Sequence, residues 1–156
     1  MAYTIISMYN VNQAVGRGCP NRQTDVMLVQ FFLAALNLSN IFPVSGFSSP
    51  IGSPEPIFPI DGVFKIGLVD WIAEFQRVAN RNGVGPLAVD GRVDPSGVGW
   101  GDTNIKHTHR RTIQVLNVLL ARSDIKRFES LPDHPSVPGV LRAELLSMRL
   151  TNSLRT

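Results

Sequence analysis

The chain contains one cysteine and three histidines, the residue types best suited to nucleophilic catalysis or to binding a transition metal. Cys19 lies in a Gly-Arg-Gly-Cys-Pro turn, where no neighbour in the sequence would activate its thiol. His107, His109 and the more distant His134 match neither one helix face nor a common zinc site. The carboxylates show no pairing that indicates a glycosidase. We therefore expect a noncatalytic protein without a metal or cofactor.

Two further chemistries receive little support from the sequence. The Gly-rich segment 97–101 lacks the Lys-Ser/Thr ending of a P-loop, so we do not expect it to bind a nucleotide phosphate. Lys106, Arg110 and Arg111 form a basic cluster, but no aromatic residues interleave with them to stack on bases. Binding to nucleic acid is therefore not expected.

Charge is distributed unevenly along the chain. Residues 1–104 carry six Lys/Arg and eight Asp/Glu, a balance of −2, whereas residues 105–156 carry nine and four, a balance of +5. Together they give the formal net charge of +3. A basic C-terminal third is typical either of solvated helix faces or of a surface for an anionic partner, such as an acidic protein.

The length of 156 residues and the hydrophobic content of 44% predict a single domain over residues 1–156 with one core. The sequence contains no run of about 18 apolar residues, so no membrane-spanning helix is predicted. The first residues lack a basic segment followed by a long apolar one, so no classical signal peptide is predicted. We expect synthesis in the cytoplasm and, for any role at the cell wall, delivery by a non-classical route.

Apolar residues at helical spacing predict four helices. The first begins at Thr24 as N-cap with Asp25 in its first turn, and it ends near residues 37–40. The second covers residues 67–80, the third is strongest over residues 112–121 after a cap at Thr103 or Asn104, and the fourth follows Pro138. Nine residues on three of these helices are predicted to form one core: Val26, Val29, Leu33, Leu68, Ile72, Phe75, Ile113, Leu116 and Leu120.

Two segments lack helical spacing. Residues 2–15 are β-prone, although they do not alternate cleanly between apolar and polar residues. Residues 43–59 contain five prolines, two glycines and four serines, which predicts an inserted surface loop with little regular structure.

Two predicted turns share one sequence pattern. Residues 61–64 are Asp-Gly-Val-Phe and residues 90–93 are Asp-Gly-Arg-Val. Glycine adopts positive φ at little cost, and an aspartate carboxylate accepts hydrogen bonds from nearby backbone N–H groups. We predict that each segment turns tightly and that its last, apolar residue points back to the core.

In their order, these turns and helices resemble the peptidoglycan-binding domain-like family. Residues 25–33 are Asp-Val-x-x-Val-Gln-x-x-Leu, close to the family's Asp-Val-x-x-Leu-Gln-x-x-Leu on its first helix. Residues 75–76 are Phe-Gln, as at the end of the family's second helix, and both Asp-Gly turns occupy the expected places. Lys65 and Trp71 depart from the pattern, which has glycine and usually a small residue there. The resemblance covers residues 15–121.

The resemblance implies a mainly α fold, a compact three-helix bundle with long loops. The β-prone N-terminal stretch and a helix over residues 136–150 would be additions to it. Family members are small modules found beside cell-wall hydrolases, which implies noncatalytic binding of bacterial peptidoglycan through its glycan strand or its stem peptide.

Four residues are candidates to bind such a ligand: Lys65, Arg92, Trp71 and Trp100. The two cations would attract stem-peptide carboxylates, and the two indoles would provide an apolar floor, although Trp71 also fits a core position. The alternative function is a protein–protein adaptor with the same fold, such as an accessory protein of a phage or contractile secretion system.

Overall fold

The protein is mainly helical in a computed structural model, which describes residues 9–36, 59–96, 111–123 and 125–153. The α-helices are α1 (Gln23–Leu36), α2 (Ile66–Arg81), α3 (Thr112–Ser123), α4 (Ile125–Glu129) and α5 (Gly139–Ser153). A short 3-10 helix, Leu131–Asp133, lies between the last two. These ranges contain no β-strand, so the prediction of a mainly α fold is confirmed.

Helix α1 is buried on nearly every side. Eleven of its residues are buried, including several that the predicted stripe did not contain, such as Met27, Leu28 and Phe31. A helix that is buried all round belongs in the middle of a fold, and α1 packs against both α3 and α5. The N-cap prediction is wrong, because Thr24 lies inside the first helical turn, whose opening hydrogen bond runs from Val26 N–H to the Arg22 carbonyl.

Helix α2 has one buried and one exposed face. The three predicted core residues of this helix, Leu68, Ile72 and Phe75, are buried, and Ala79 on the same face is buried with them. The helix ends at Asn82, whose side-chain Nδ2 donates to the Val78 carbonyl oxygen at 2.8 Å, and Gly83 follows with a φ of +73°. Polar capping followed by left-handed glycine explains why the helix stops where the sequence predicted.

The C-terminal part contains more helix than the sequence pattern predicted. Helix α3 begins at Thr112, where the strongest part of the predicted helix begins, and α5 begins directly after Pro138. Helix α4 and the 3-10 helix have only five and three residues, too few for helical periodicity to indicate them. They are nevertheless part of the core, since Phe128 and Leu131 are buried.

All nine residues predicted to form a common core belong to one cluster of buried side chains. The cluster also includes residues from α4, the 3-10 helix and α5, among them Phe128, Leu131, Leu141 and Leu145. A single core therefore joins all helices of the described ranges.

The described part of the N-terminal stretch, residues 9–15, forms one isolated bridge and no strand. Val15 and Val93 exchange two backbone hydrogen bonds of 3.0 and 2.9 Å. Upstream, both carboxylate oxygens of Asp25 accept backbone N–H groups, from Asn12 at 2.8 Å and from Gln13 at 3.0 Å. Burial raises the pKa of Asp25 despite these hydrogen bonds.

Several predictions concern residues outside the described ranges: the loop over 43–59 apart from Pro59, the segment 97–101, and the caps Thr103 and Asn104. Among the described residues, no helix is both long and apolar enough to cross a membrane.

Replacing Phe75 by alanine tests the common core. The side chain is fully buried in α2, so Phe75→Ala is expected to lower the free energy of unfolding by about 3–5 kcal/mol in urea denaturation. The exposed Val140 of α5 provides the control, because Val140→Ala should change stability by less than about 0.5 kcal/mol. Similar losses for the two variants would contradict the common core.

Candidate functional site

Gln30 of α1 joins the two sides of the first turn (residues 61–64). Its Oε1 accepts the backbone N–H of Gly62 at 2.9 Å, while its Nε2 donates to Asp61 Oδ1 at 3.1 Å and to the Val63 carbonyl at 3.4 Å. The same Asp61 oxygen accepts the N–H of Val63 at 2.9 Å. One carboxamide thus holds the turn on the side of a helix.

Gln76 of α2 makes the same contact with the second turn (residues 90–93). Its Oε1 accepts the N–H groups of Asp90 and Gly91, both at 3.0 Å. Its Nε2 lies 3.0 Å from each of three acceptors: Asp90 Oδ1, the Arg92 carbonyl and Thr112 Oγ1. Because Thr112 begins α3, this glutamine also connects the second turn to the next helix.

The glycines of the two turns pack in equivalent places. Gly62 has a φ of +71°, and a Cβ there would lie 2.5 Å from Gln23 Cγ. Gly91 has a φ of +67°, and its Cβ would lie 2.6 Å from Val69 Cγ1. Gln23 and Val69 each precede the turn-binding glutamine of their helix by seven residues. Both positions therefore require glycine, for positive φ and for close approach to a helix.

The two helix–turn units differ in length. Gln30 and Asp61 are 31 residues apart, whereas Gln76 and Asp90 are 14 apart, so the first unit has 17 additional residues. The predicted Pro-rich insertion, residues 43–59, has the same length. The second unit shows that the turn reaches its glutamine without such an insertion.

Both turns lie beside the first turn of α2. Residue 64 precedes α2 by two positions, and Gly91 packs on Val69, one helical turn after Ile66. Of the side chains exposed around them, we call five the turn surface: Val63, Lys65, Ile66, Val89 and Arg92; Asp70, Ala88 and Asp90 are exposed there too. The structure thus brings predicted site residues Lys65 and Arg92 to the same end of α2.

Two neighbours orient Arg92. A Cβ on Gly16 would lie 2.9 Å from Arg92 Cγ, so the alkyl stem of the arginine crosses a position without a side chain. Its Nη2 lies 3.1 Å from Asp94 Oδ1, in an ion pair where the arginine side chain is 46% exposed. Exposed pairs of this kind contribute about 0–1 kcal/mol, so a ligand carboxylate can compete for the guanidinium.

Lys65 occupies the N-cap position of α2, where its side chain makes no capping hydrogen bond. The pKa of Asp61 is lowered mainly by the hydrogen bond from the Val63 N–H and then by the one from the Gln30 carboxamide, and the positive charge of Lys65 makes a smaller contribution in the same direction. Asp61 is therefore ionised at neutral pH, and its carboxylate accepts hydrogen bonds within the turn.

The tryptophans do not form the predicted ligand floor in the described structure. Trp71 is 1% exposed, because it lies on the same helix face as Leu68 and Phe75, so this prediction is corrected: Trp71 is a core residue. Trp100 lies outside the described residues.

The residues considered for catalysis or metal binding have other contacts. Cys19 is partly exposed in the loop before α1, with its Sγ 3.6 Å from the Arg17 carbonyl oxygen. His134 Nδ1 accepts the Ser136 N–H at 3.1 Å, and its ring meets Phe31 edge-on at 5.4 Å between centroids. His107 and His109 are outside the described residues. Within the described ranges, no group of three or more potential metal ligands occurs.

Sequence reasoning missed two further buried carboxamides, Gln114 and Asn117 of α3. Asn117 of α3 is fully buried; its Oδ1 accepts the Tyr9 N–H at 2.7 Å and its Nδ2 donates to the Tyr9 and Ile113 carbonyls at 2.8 and 2.7 Å. Asn117 follows Leu116 as Gln76 follows its own core neighbour, so an alignment of the helices by their core residues would have indicated it.

A charged substitute for Gln76 tests the turn contact. Gln76→Glu keeps an acceptor for the two N–H groups but places a second carboxylate beside Asp90. Two carboxylates in hydrogen-bond contact repel each other when both are ionised, so they tend to share one proton. The folded variant therefore has a higher proton affinity than the unfolded chain, in which the two groups are apart. In urea unfolding we expect a loss of about 2–4 kcal/mol at pH 7 and a smaller loss near pH 5.

The double variant Gln76→Glu/Asp90→Asn is the control for this pH dependence. The Asp90→Asn change replaces the second carboxylate by a neutral amide. The difference in stability loss between the two pH values should therefore largely disappear. An equal loss for the single variant at both pH values would show that its introduced carboxyl does not face Asp90.

Deleting residues 43–59 tests the equivalence of the two units. The variant would restore the spacing of 14 between Gln30 and Asp61, as in the second unit. Loop-closure entropy changes slowly with length, so we expect a melting temperature within a few degrees of the parent chain. A large drop in the melting temperature would show that the insertion packs against the core.

No family model, no curated protein and no solved structure matches the chain significantly. The proposed function therefore rests on the turns, charges and exposed side chains of the chain itself.

Proposed function

We propose that this protein binds bacterial peptidoglycan without catalysing a reaction on it. In this proposal α1, α2, α3 and the two turns form a three-helix module, and α5 is an addition. The observation that carries the proposal is the repeated contact between a helix glutamine and an Asp-Gly turn. These are the residues through which the sequence resembles the peptidoglycan-binding domain-like family, and the contact gives each of them a role in one fold.

The turn surface supplies the chemistry for this ligand. Lys65 directly follows the first turn and Arg92 belongs to the second, and both cations are exposed beside the first turn of α2. Stem peptides carry carboxylates, which bind an ammonium by charge and a guanidinium by two parallel hydrogen bonds. Because the turns are held by buried carboxamides, little order has to be gained when the ligand binds.

Removing both cations tests the proposal. Lys65→Ala/Arg92→Ala is expected to weaken sedimentation with purified murein sacculi at least about tenfold, since hydrogen bonds to charged groups contribute about 1.5–3 kcal/mol each. The remaining binding should depend less on salt, and the melting temperature should stay nearly unchanged.

The matched control is Arg77→Ala/Arg81→Ala on α2. Both arginines are exposed and form ion pairs with Glu74 in the described part of the chain, so the variant removes the same charge elsewhere. Equal weakening by the two double variants would indicate a nonspecific charge effect. If the parent protein does not sediment with sacculi at low salt, the proposal is wrong.

A protein–protein adaptor, such as an accessory protein of a phage or contractile secretion system, is the second candidate function. The outer face of α5 favours it: Val140 and Leu146 are 57% and 39% exposed, and Ala143 between them is exposed too. Leu141 and Leu145 of the same helix are in the core, so α5 carries apolar residues on two faces. Exposed apolar residues at helical spacing are common at protein interfaces. Failure to bind sacculi would place this function first.

A further inference from the structure

Aliphatic side chains surround the two cations of the turn surface. Val63, Ile66 and Val89 are 51%, 55% and 46% exposed, which is half of all exposed large hydrophobic residues among the described ones. All three lie within three residues of a turn glycine or within the first turn of α2. The turn surface therefore places two cations beside apolar contact area, with the exposed carboxylates of Asp70 and Asp90 close by.

The aromatic side chains beside the described part of this surface are buried or partly buried. Every large hydrophobic side chain that is exposed in the described ranges is Val, Ile or Leu. Trp71 is in the core, and Phe64 of the first turn is partly buried against the core cluster. The flat apolar face of a sugar ring is best matched by an aromatic ring, which offers a broad rigid surface. Branched aliphatic side chains instead fit small alkyl groups.

We infer that the turn surface recognises the stem peptide of peptidoglycan, not its glycan strand. Stem peptides combine carboxylates with alanine methyl groups, and the turn surface offers two cations beside three exposed aliphatic side chains. This inference rests on the proposed function and assigns it a ligand class. Arg92 is the specificity residue, because its stem lies over Gly16 and its guanidinium is already oriented by a carboxylate, that of Asp94.

Competition against sacculi tests the assignment with the full-length protein. Three soluble competitors are added to sacculi already carrying bound protein: a stem pentapeptide, the same peptide with its carboxylates amidated, and peptide-free glycan oligomers. The pentapeptide should release the protein, the amidated peptide should need at least about tenfold higher concentration, and the glycan should release none.

The outcomes separate the inference from the proposed function. Release by glycan and not by pentapeptide would leave peptidoglycan binding intact and overturn the stem-peptide assignment. Release by the amidated peptide as readily as by the free one would overturn the role of the cations. If the protein does not bind sacculi at all, the proposed function fails and the inference fails with it.

A substitution of the apolar part adds a second readout. Ile66→Ser should weaken binding of the pentapeptide by roughly tenfold, as expected for an aliphatic side chain that a ligand largely covers, while the salt dependence stays unchanged. Val140→Ser on α5 is the matched control, with a similarly exposed side chain. Equal affinities of the Ile66→Ser variant and the parent protein would remove the aliphatic side chains from the site.

Discussion

Buried carboxamides hold several non-helical segments of this protein in place. Gln30 and Gln76 bind the two turns, and Asn117 binds both backbone polar groups of Tyr9. The described residues contain no sheet that would pair these backbone groups, and a buried unpaired donor or acceptor costs about 1–3 kcal/mol. Each carboxamide directly follows a core residue of its helix, so packing of the core fixes where the loops can lie.

This arrangement separates the parts that hold the turns from the parts that a ligand can reach. The carboxamide, the aspartate and the glycine of each unit are engaged with one another, whereas the residue after the glycine, Val63 or Arg92, faces solvent. That position differs in character between the units, aliphatic in one and cationic in the other. The exposed residues can therefore change without loss of the turn, which suits a surface whose specificity depends on a few side chains.

The helices and their core were predictable because their apolar residues repeat at helical spacing over three turns or more. The four-residue turns were predictable as turns from Asp-Gly, but Gln30 and Gln76 entered only as members of the family pattern, and their contacts with the turns were not predicted. Burial of polar residues could not be predicted from spacing: Asn117 and Asp25 look like ordinary helix residues until their backbone partners, up to 108 residues away, are known. For Trp71 the spacing pointed to the core, and the structure agrees with that alternative.

The difference in length between the two units shows how weakly the loop determines the site. Lengthening the connection from 14 to 31 residues costs about 0.7 kcal/mol in closure entropy, which is less than one typical intramolecular hydrogen bond contributes. The carboxamide contacts can therefore hold the first turn in position regardless of the length of the loop before it. An insertion at this place leaves the turn surface intact while adding sequence close to it along the chain. Residue identity at the turns, more than the length of the connections, consequently decides what this end of the molecule can bind.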